Sequence, residues 1–213
     1  MLIVNVEARD LNEAWFRCIR EVVTHGYEYT IDKGSYAGRK RRELDMVMVQ
    51  VLNPGIRPLA PTTSQGAAPT TDTDIENYMT YLMTDTKQPG EQYTYGADLA
   101  PQIEEVIKRY KKYGYENNQL CMSIGNRDSL FLTDPQCLRL IDTRVRYGAL
   151  HFVVYFRSWD LYAGFPVNMG GLQLLKEYMA SQIGVKDGEL IAFSKGLHLY
   201  DHFWDLANSV IGR

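Results

Sequence analysis

The chain is poor in cysteine, and what it has is not arranged to hold a metal or a disulfide framework. Its three cysteines, Cys18, Cys121 and Cys137, are an odd number, and none lies in C-x-x-C spacing. That disfavours a disulfide scaffold and a zinc ribbon. Long apolar runs are missing as well: no stretch of eighteen apolar residues occurs, so no segment reads as a transmembrane helix. The opening "MLIVNVEARD" lacks a basic n-region and a small-residue cleavage site, and is not expected to be a signal peptide. Excess positive charge is also absent. With 23 Lys+Arg against 26 Asp+Glu, the net charge is -3 and the isoelectric point about 5.8, which argues against a dedicated nucleic-acid binder. The glycine-rich stretches at 34–38 and 170–171 match neither a phosphate loop nor a dinucleotide fingerprint. These absences leave the expectation of a cytoplasmic globular protein with no membrane, nucleic-acid or metal partner.

What is present is apolar and aromatic. Of 213 residues, 45% are hydrophobic and 12% aromatic, with 15 tyrosines, enough for a sizeable core. A helix is expected in "LNEAWFRCIREVVTH", where Leu11, Trp15, Cys18, Ile19, Val22 and Val23 share a face and Gly26 follows. "YEYTI" and "LDMVMVQVL" read as strands flanking a basic loop, Lys33 to Arg42. A proline-rich loop follows from Asn53, then a helix with its cap at Asp74 and Asn77. A long amphipathic helix is expected in "GADLAPQIEEVIKRYKKYG". "NQLCMSIG" and "ALHFVVYF" read as strands, with "DTRVRYG" as the turn before the second; Cys121 is expected to be packed and Cys18 to lie in the core. The remainder reads as a helix from Met169, one strand "GELIAFSKGLHLY" and a short closing helix. Strands and helices mix without regular alternation, so the prediction is a single α+β domain spanning 1–213.

Three clusters could carry chemistry. Cys137 follows Asp134-Pro135 at the start of a strand-like run; a plain buried cysteine and an activated thiolate are both open there. The stretch "YFRSWDLYAGFPVN" sets Arg157, Ser158, Asp160 and Asn168 among aromatic residues. Arg157 suits a phosphate or carboxylate, or an internal ion pair with Asp160 or Glu189. Asn168 suits the edge of a pyrimidine, or the N-cap of the helix expected to follow. In "KGLHLYDH", His198 and Tyr200 alternate onto one strand face. His198 and His202, four apart in a strand, would be about 13 Å apart, too far for one metal ion.

Order and spacing give these residues a common reading. Cys137 stands twenty residues before "RSWDLYAGFPVN", and Asn168 stands thirty before the "HLY" pair. This string resembles the thymidylate synthase family, most clearly over Thr133–Asp201, with a weaker likeness at "YTYG", Tyr93 to Gly96. The short chain looks most like the compact archaeal branch. The resemblance implies a two-layer sandwich with a bent mixed β-sheet and a homodimer formed sheet to sheet. It implies a pyrimidine nucleotide monophosphate as substrate and 5,10-methylene-tetrahydrofolate, or a related reduced pterin, as co-substrate. Cys137 would add to C6 of the base, and Tyr95 would join the proton-handling network at C5. Arg157 and Ser158 would hold the 5′-phosphate, Asp160 the pterin, Asn168 the base edge, and His198 with Tyr200 the 3′-hydroxyl. The implied reaction is methylation of dUMP to dTMP.

Departures from the family pattern are specific. Gln136 and Leu138 flank the cysteine where the family has proline and often histidine. Asn117 and Asn118 stand where two adjacent arginines are usual, so the basic residues Arg39 to Arg42 are either an alternative phosphate contact or a solvated turn. The general acid/base glutamate is unplaced, with Glu76 and Glu91 as candidates. The chain stops at Arg213, short of the tail that closes over folate in longer members. Hydroxymethylation of dUMP, dCMP or CMP by water capture is therefore the same-fold alternative. A nucleotide-binding protein without catalysis is the alternative of another class.

Overall fold

A computed structural model describes residues 1–34, 36–63, 68–87 and 92–212. Part of the proline-rich loop (64–67) and Glu91 lie outside the described residues.

Alternation of apolar residues builds the central sheet. Its strands, in spatial order, are β1 (Ile3–Ala8), β4 (Met46–Val51), β9 (Lys186–Ser194), β7 (Ala149–Phe156), β6 (Leu138–Arg146) and β5 (Cys121–Ser123). The pairing is mixed: β1 with β4 and β7 with β9 are parallel, and the rest antiparallel. One row across it runs Val49, Ala192, Val154 and Ile141, all buried. That face is covered by α1 (Leu11–His25), α3 (Tyr95–Tyr113) and α4 (Gly164–Ile183), with α2 (Asp72–Met83) packed on α3 and α4. The adjacent row, Met48, Phe193, Tyr155 and Leu140, turns to the other face and is only half-buried.

A second, four-stranded sheet has the order β2 (Tyr27–Thr30), β3 (Lys40–Glu43), β10 (Leu197–Tyr200) and β8 (Trp159–Asp160). The expected bend is realised as two sheets that hand the chain over at two places, Phe156 to Trp159 and Ser194 to Leu197. The hand-over is stitched by Arg157 N–H to Cys137 C=O (2.8 Å) and Trp159 N–H to Gly196 C=O (2.9 Å).

Several expectations are corrected. "GELIAFSKGLHLY" is two strands in two sheets, broken at Lys195-Gly196. The basic run is not wholly loop: Lys40–Glu43 is β3, a strand with no apolar residue, held between β2 and β10. "DTRVR" is strand rather than turn, with Thr143 and Val145 alternating into the core. The turn is only Tyr147-Gly148, whose φ values of 54° and 74° suit a two-residue hairpin. The α2 cap is Thr71, in a capping box with Asp74. Cys121 is exposed on an edge strand, while Cys18 is buried as expected. At the start of α3, a side chain on Gly96 would meet the Thr84 carbonyl oxygen at 1.8 Å, so only glycine lets α3 begin against the end of α2.

Candidate active site

The hand-over between the sheets brings most of the predicted residues together. Cys137 lies just before β6, half-buried. Arg157, just after β7, folds its guanidinium back over the loop before the cysteine. Its Nε donates to the Gln136 carbonyl (3.1 Å), and its Nη2 donates to the Pro135 carbonyl and to Asp134 (3.1 Å). The internal partner is therefore Asp134, not Asp160 or Glu189. Burial pushes the Cys137 thiol up; the Arg157 charge opposes this, and Asp134 adds to it. Ser158, next in the chain, is half-buried, and its hydroxyl makes no hydrogen bond among the described residues.

Among the described residues, tyrosines border the thiol, with Asp134 as the nearby carboxylate. Tyr95, 8% exposed, accepts a bond from the Leu138 N–H at 3.3 Å, one residue past the cysteine. Its ring meets those of Tyr78, Tyr81 and Tyr93 at 6.4, 5.4 and 5.7 Å. Burial raises the Tyr78 and Tyr95 phenols well above their usual range, helped by the neighbouring tyrosines at Tyr78 and by the thiol at Tyr95. The buried Tyr78 hydroxyl has no partner among the described residues. Glu76 is exposed on α2, beside Arg57, Asp72 and Ile75.

The small sheet supplies a second wall. In register, Glu43, His198 and Asp160 lie side by side across β3, β10 and β8, with Arg41 beside Tyr200 in the next row on the same face. His198 is 2% exposed; its Nδ1 lies 2.8 Å from the Gly196 carbonyl and donates to it. Its Nε2 is then an acceptor, buried and without a partner among the described residues. Burial lowers the imidazole to about 4, so it is neutral at pH 7, and Glu43 at 3.9 Å does not hold a proton on it. Tyr200 meets the His198 ring edge-on at 4.8 Å and is stacked by Tyr36 at 4.3 Å. Burial, with Asp160 nearby, pushes the Tyr200 phenol up to about 12.

Asp160 accepts from the backbone N–H groups of Tyr162 (3.2 Å) and Gly164 (3.1 Å), and burial nonetheless raises its carboxyl. Asn168 is not a helix cap. It sits one turn inside α4, with Oδ1 accepting from the Trp159 indole N–H at 3.0 Å. His202 belongs to the 3-10 turn after β10, with its ring stacked near Tyr200 at 5.7 Å.

The thymidylate synthase family model matches residues 71–213. This chain belongs to the thymidylate synthase family. The protein named "Putative thymidylate synthase" from Methanosarcina acetivorans is 27% identical over 212 residues, covering 97% of this chain and 94% of its own length. Its namesake from Methanosarcina barkeri is 26% identical with the same coverage. That from Methanothermobacter marburgensis is 24% identical over 221 residues, 97% of each protein.

Within this thymidylate synthase-type enzyme, some features were hidden from sequence reasoning. Arg41 and Glu43 reach the site only because β3 pairs with β10, and no periodicity in "KRRE" signals that. The basic run is neither a solvated turn nor a set of free cations. Arg39 pairs with Asp201 (3.6 Å), Lys40 and Arg42 with Glu28 (3.2 and 3.5 Å), and Arg41 with Glu43 (3.0 Å). Arg42 also lies over the Trp204 ring at 4.1 Å. At the place of the missing arginines, Asn117 caps a local turn by accepting from the Gln119 N–H at 2.8 Å. Trp159 and Tyr78 carry no motif of their own; an indole N–H close in sequence to a candidate base reader was the available signal. Among the described residues, no helix is long and apolar enough to cross a membrane.

Proposed function

We propose that this enzyme transfers a one-carbon unit to C5 of dUMP and reduces it to methyl, giving dTMP. The observation that carries the reading is the hand-over between the sheets, where Arg157 bonds the Cys137 carbonyl through its N–H and folds its guanidinium over the loop before that cysteine, and where β10, joined there through Gly196, carries the orphaned acceptor of His198. Uracil C5 is a weak nucleophile. Addition of the Cys137 thiolate to C6 forms a C–S bond and moves the C5–C6 π pair onto C5 and O4, so that C5 can attack an electrophilic carbon. Charge developing on O4 is met by the Asn168 NH2. The C5 proton passes to a solvent water that the neutral Tyr95 and Tyr78 hydroxyls hydrogen-bond, and the adduct resolves when the C–S bond breaks and Cys137 leaves as thiolate. Arg157 and Ser158 bind the 5′-phosphate, and binding so far from C5 fixes the ring against the thiol. A phosphate that draws Arg157 away from Asp134 replaces one anionic partner with another. His198 Nε2, an acceptor only, accepts from the sugar hydroxyl, with Tyr200 beside it.

A reduced folate fits the chemistry at Asp160, whose oxygens each accept one backbone N–H and keep further acceptor capacity for ring donors of a pterin. When bound, methylene-tetrahydrofolate supplies the carbon and the hydride. Asp160 holds and orients its ring.

We also infer a homodimer through the open face of the large sheet. The row Met48, Phe193, Tyr155, Leu140 and the next, with Ile191 and Val153 between Gln50 and Asp142, form a largely apolar surface that no element of this chain covers among the described residues.

The test is incubation of the protein with dUMP and methylene-tetrahydrofolate, with mass detection of the nucleotide. Product one methylene heavier than dUMP is expected. A product carrying one further oxygen makes the enzyme a hydroxymethylase, and no product overturns both.

A further inference from the structure

The Trp159–Asn168 contact has a consequence for which base the site accepts, given the reading of Asn168 as the base-facing residue. We propose that the indole N–H of Trp159 locks the Asn168 amide with its NH2 toward the ligand, and so selects uracil over cytosine. An indole nitrogen donates and never accepts. At 3.0 Å from the Asn168 side chain it therefore requires the amide oxygen, and turns the NH2 group the other way. The indole cannot swing aside. It is 2% exposed and lies between Phe156 and Phe165, with ring centroids 4.2 and 4.6 Å away. Asn168 is itself fixed on α4, and its Oδ1 lies 3.7 Å from where a side chain on Gly164 would begin. No group of the chain bonds to the Asn168 NH2 among the described residues.

So oriented, the amide presents a donor and the spare lone pair of its oxygen. Uracil offers an acceptor at O4 and a donor at N3, and satisfies both. Cytosine offers a donor at N4 and an acceptor at N3, and opposes both. A free asparagine would answer by rotating its amide half a turn. Here that rotation would set NH2 against the buried indole N–H and leave a donor unpaired, a cost that mutational data place at about tenfold or more in binding. Trp159 is a positioning residue in this account: it acts through Asn168 and touches no reacting atom.

The test replaces Trp159 with 3-benzothienylalanine, which keeps the bicyclic shape and substitutes sulfur for N–H, and separately makes Trp159→Phe. Dissociation constants for dUMP and dCMP are measured by calorimetry on each protein. The native protein is expected to prefer dUMP, and both replacements to narrow the dUMP-to-dCMP ratio by about tenfold. A general loosening of the fold would weaken both nucleotides and leave the ratio unmoved. A ratio unchanged within about twofold in the benzothienyl protein overturns the lock while leaving the dUMP reading in place. A native protein that binds dCMP as well as dUMP also overturns it. A native protein that binds neither nucleotide overturns the reading of the site together with the lock.

Discussion

Two interior regions of the molecule sink polar groups among apolar neighbours, and they differ in how those groups are satisfied. Around α4 and the start of β9, Lys176 is fully buried and donates to Asp187 and to the Gly188 carbonyl. Gln173 bridges Asp187 and Glu177 (2.7 and 2.9 Å), and Arg57 closes on Glu177 at 2.7 Å. Lys176 pairs with Asp187 and Arg57 with Glu177, and of the buried side-chain atoms there only Gln173 Oε1 lacks a partner among the described residues. At the corner between the sheets the accounting is left open. His198 Nε2 and the Tyr78 hydroxyl are buried without partners, and Ser158 and the Asn168 NH2 are unbonded among the described residues. A polar network whose charges pair within the chain holds a fold together, whereas a set of aimed but unfilled donors and acceptors is a template for something that is not protein.

Breaking one member of each region separates the two roles most sharply. Cys137→Ser is expected to lower turnover on the order of 10⁴-fold, as loss of a covalent nucleophile does, while stability stays within about 1 kcal/mol of the native protein. Lys176→Met should do the reverse. It leaves Asp187 facing an apolar stem and is expected to cost about 3 kcal/mol in urea unfolding, with turnover per folded molecule unchanged. If Lys176→Met spares stability, or Cys137→Ser spares turnover, the division between the regions fails.

The same contrast explains what could be read from the sequence. The charge-paired region showed in the sequence only as a helix from Met169, because helix periodicity does not reveal that Asp187 waits across from Lys176. The open region was legible as chemistry, because Cys137, "RSWDLYAGFPVN" and "HLY" keep their own spacing along the chain. Spacing could not place Asn168 inside α4, since the helix starts at Gly164 ahead of any strong start signal and no side chain caps it. Nor could it show that the charged segment Lys40–Glu43 is a strand. β3 exists because its backbone pairs on both sides, its Lys40 N–H bonds Asp201 and its Lys40 and Arg42 charges meet Glu28, all of which are tertiary facts. Residues that act through neighbours distant in the chain, such as Arg41, Glu43 and the Tyr78 hydroxyl, gave no local sign.

A smaller effect distinguishes the regions by pH. His198 is held neutral, at about 4 in the folded protein, against roughly 6.5 in an unfolded chain. The unfolded state therefore takes up the proton first as pH falls. Stability that is fully present above about pH 6.5 is lost as pH drops toward 4, by up to about 3 kcal/mol. Urea unfolding across that range should show the loss, and His198→Gln should remove that part of the slope. A slope unaltered by His198→Gln would mean that the imidazole is not held neutral by burial.

The central claim is that Cys137 forms a bond to C6 of a bound dUMP in the corner between the two sheets. The most direct measurement uses the 5-fluoro analogue of dUMP with methylene-tetrahydrofolate. Fluorine cannot leave C5 as a cation, so an adduct that normally resolves should persist, and intact-protein mass spectrometry can weigh it. The account predicts a mass increase equal to the nucleotide plus the folate, mapped by digestion to the peptide containing Cys137 and absent from Cys137→Ser. Unmodified protein under saturating ligands, or an adduct on Cys121 or another residue, would contradict it.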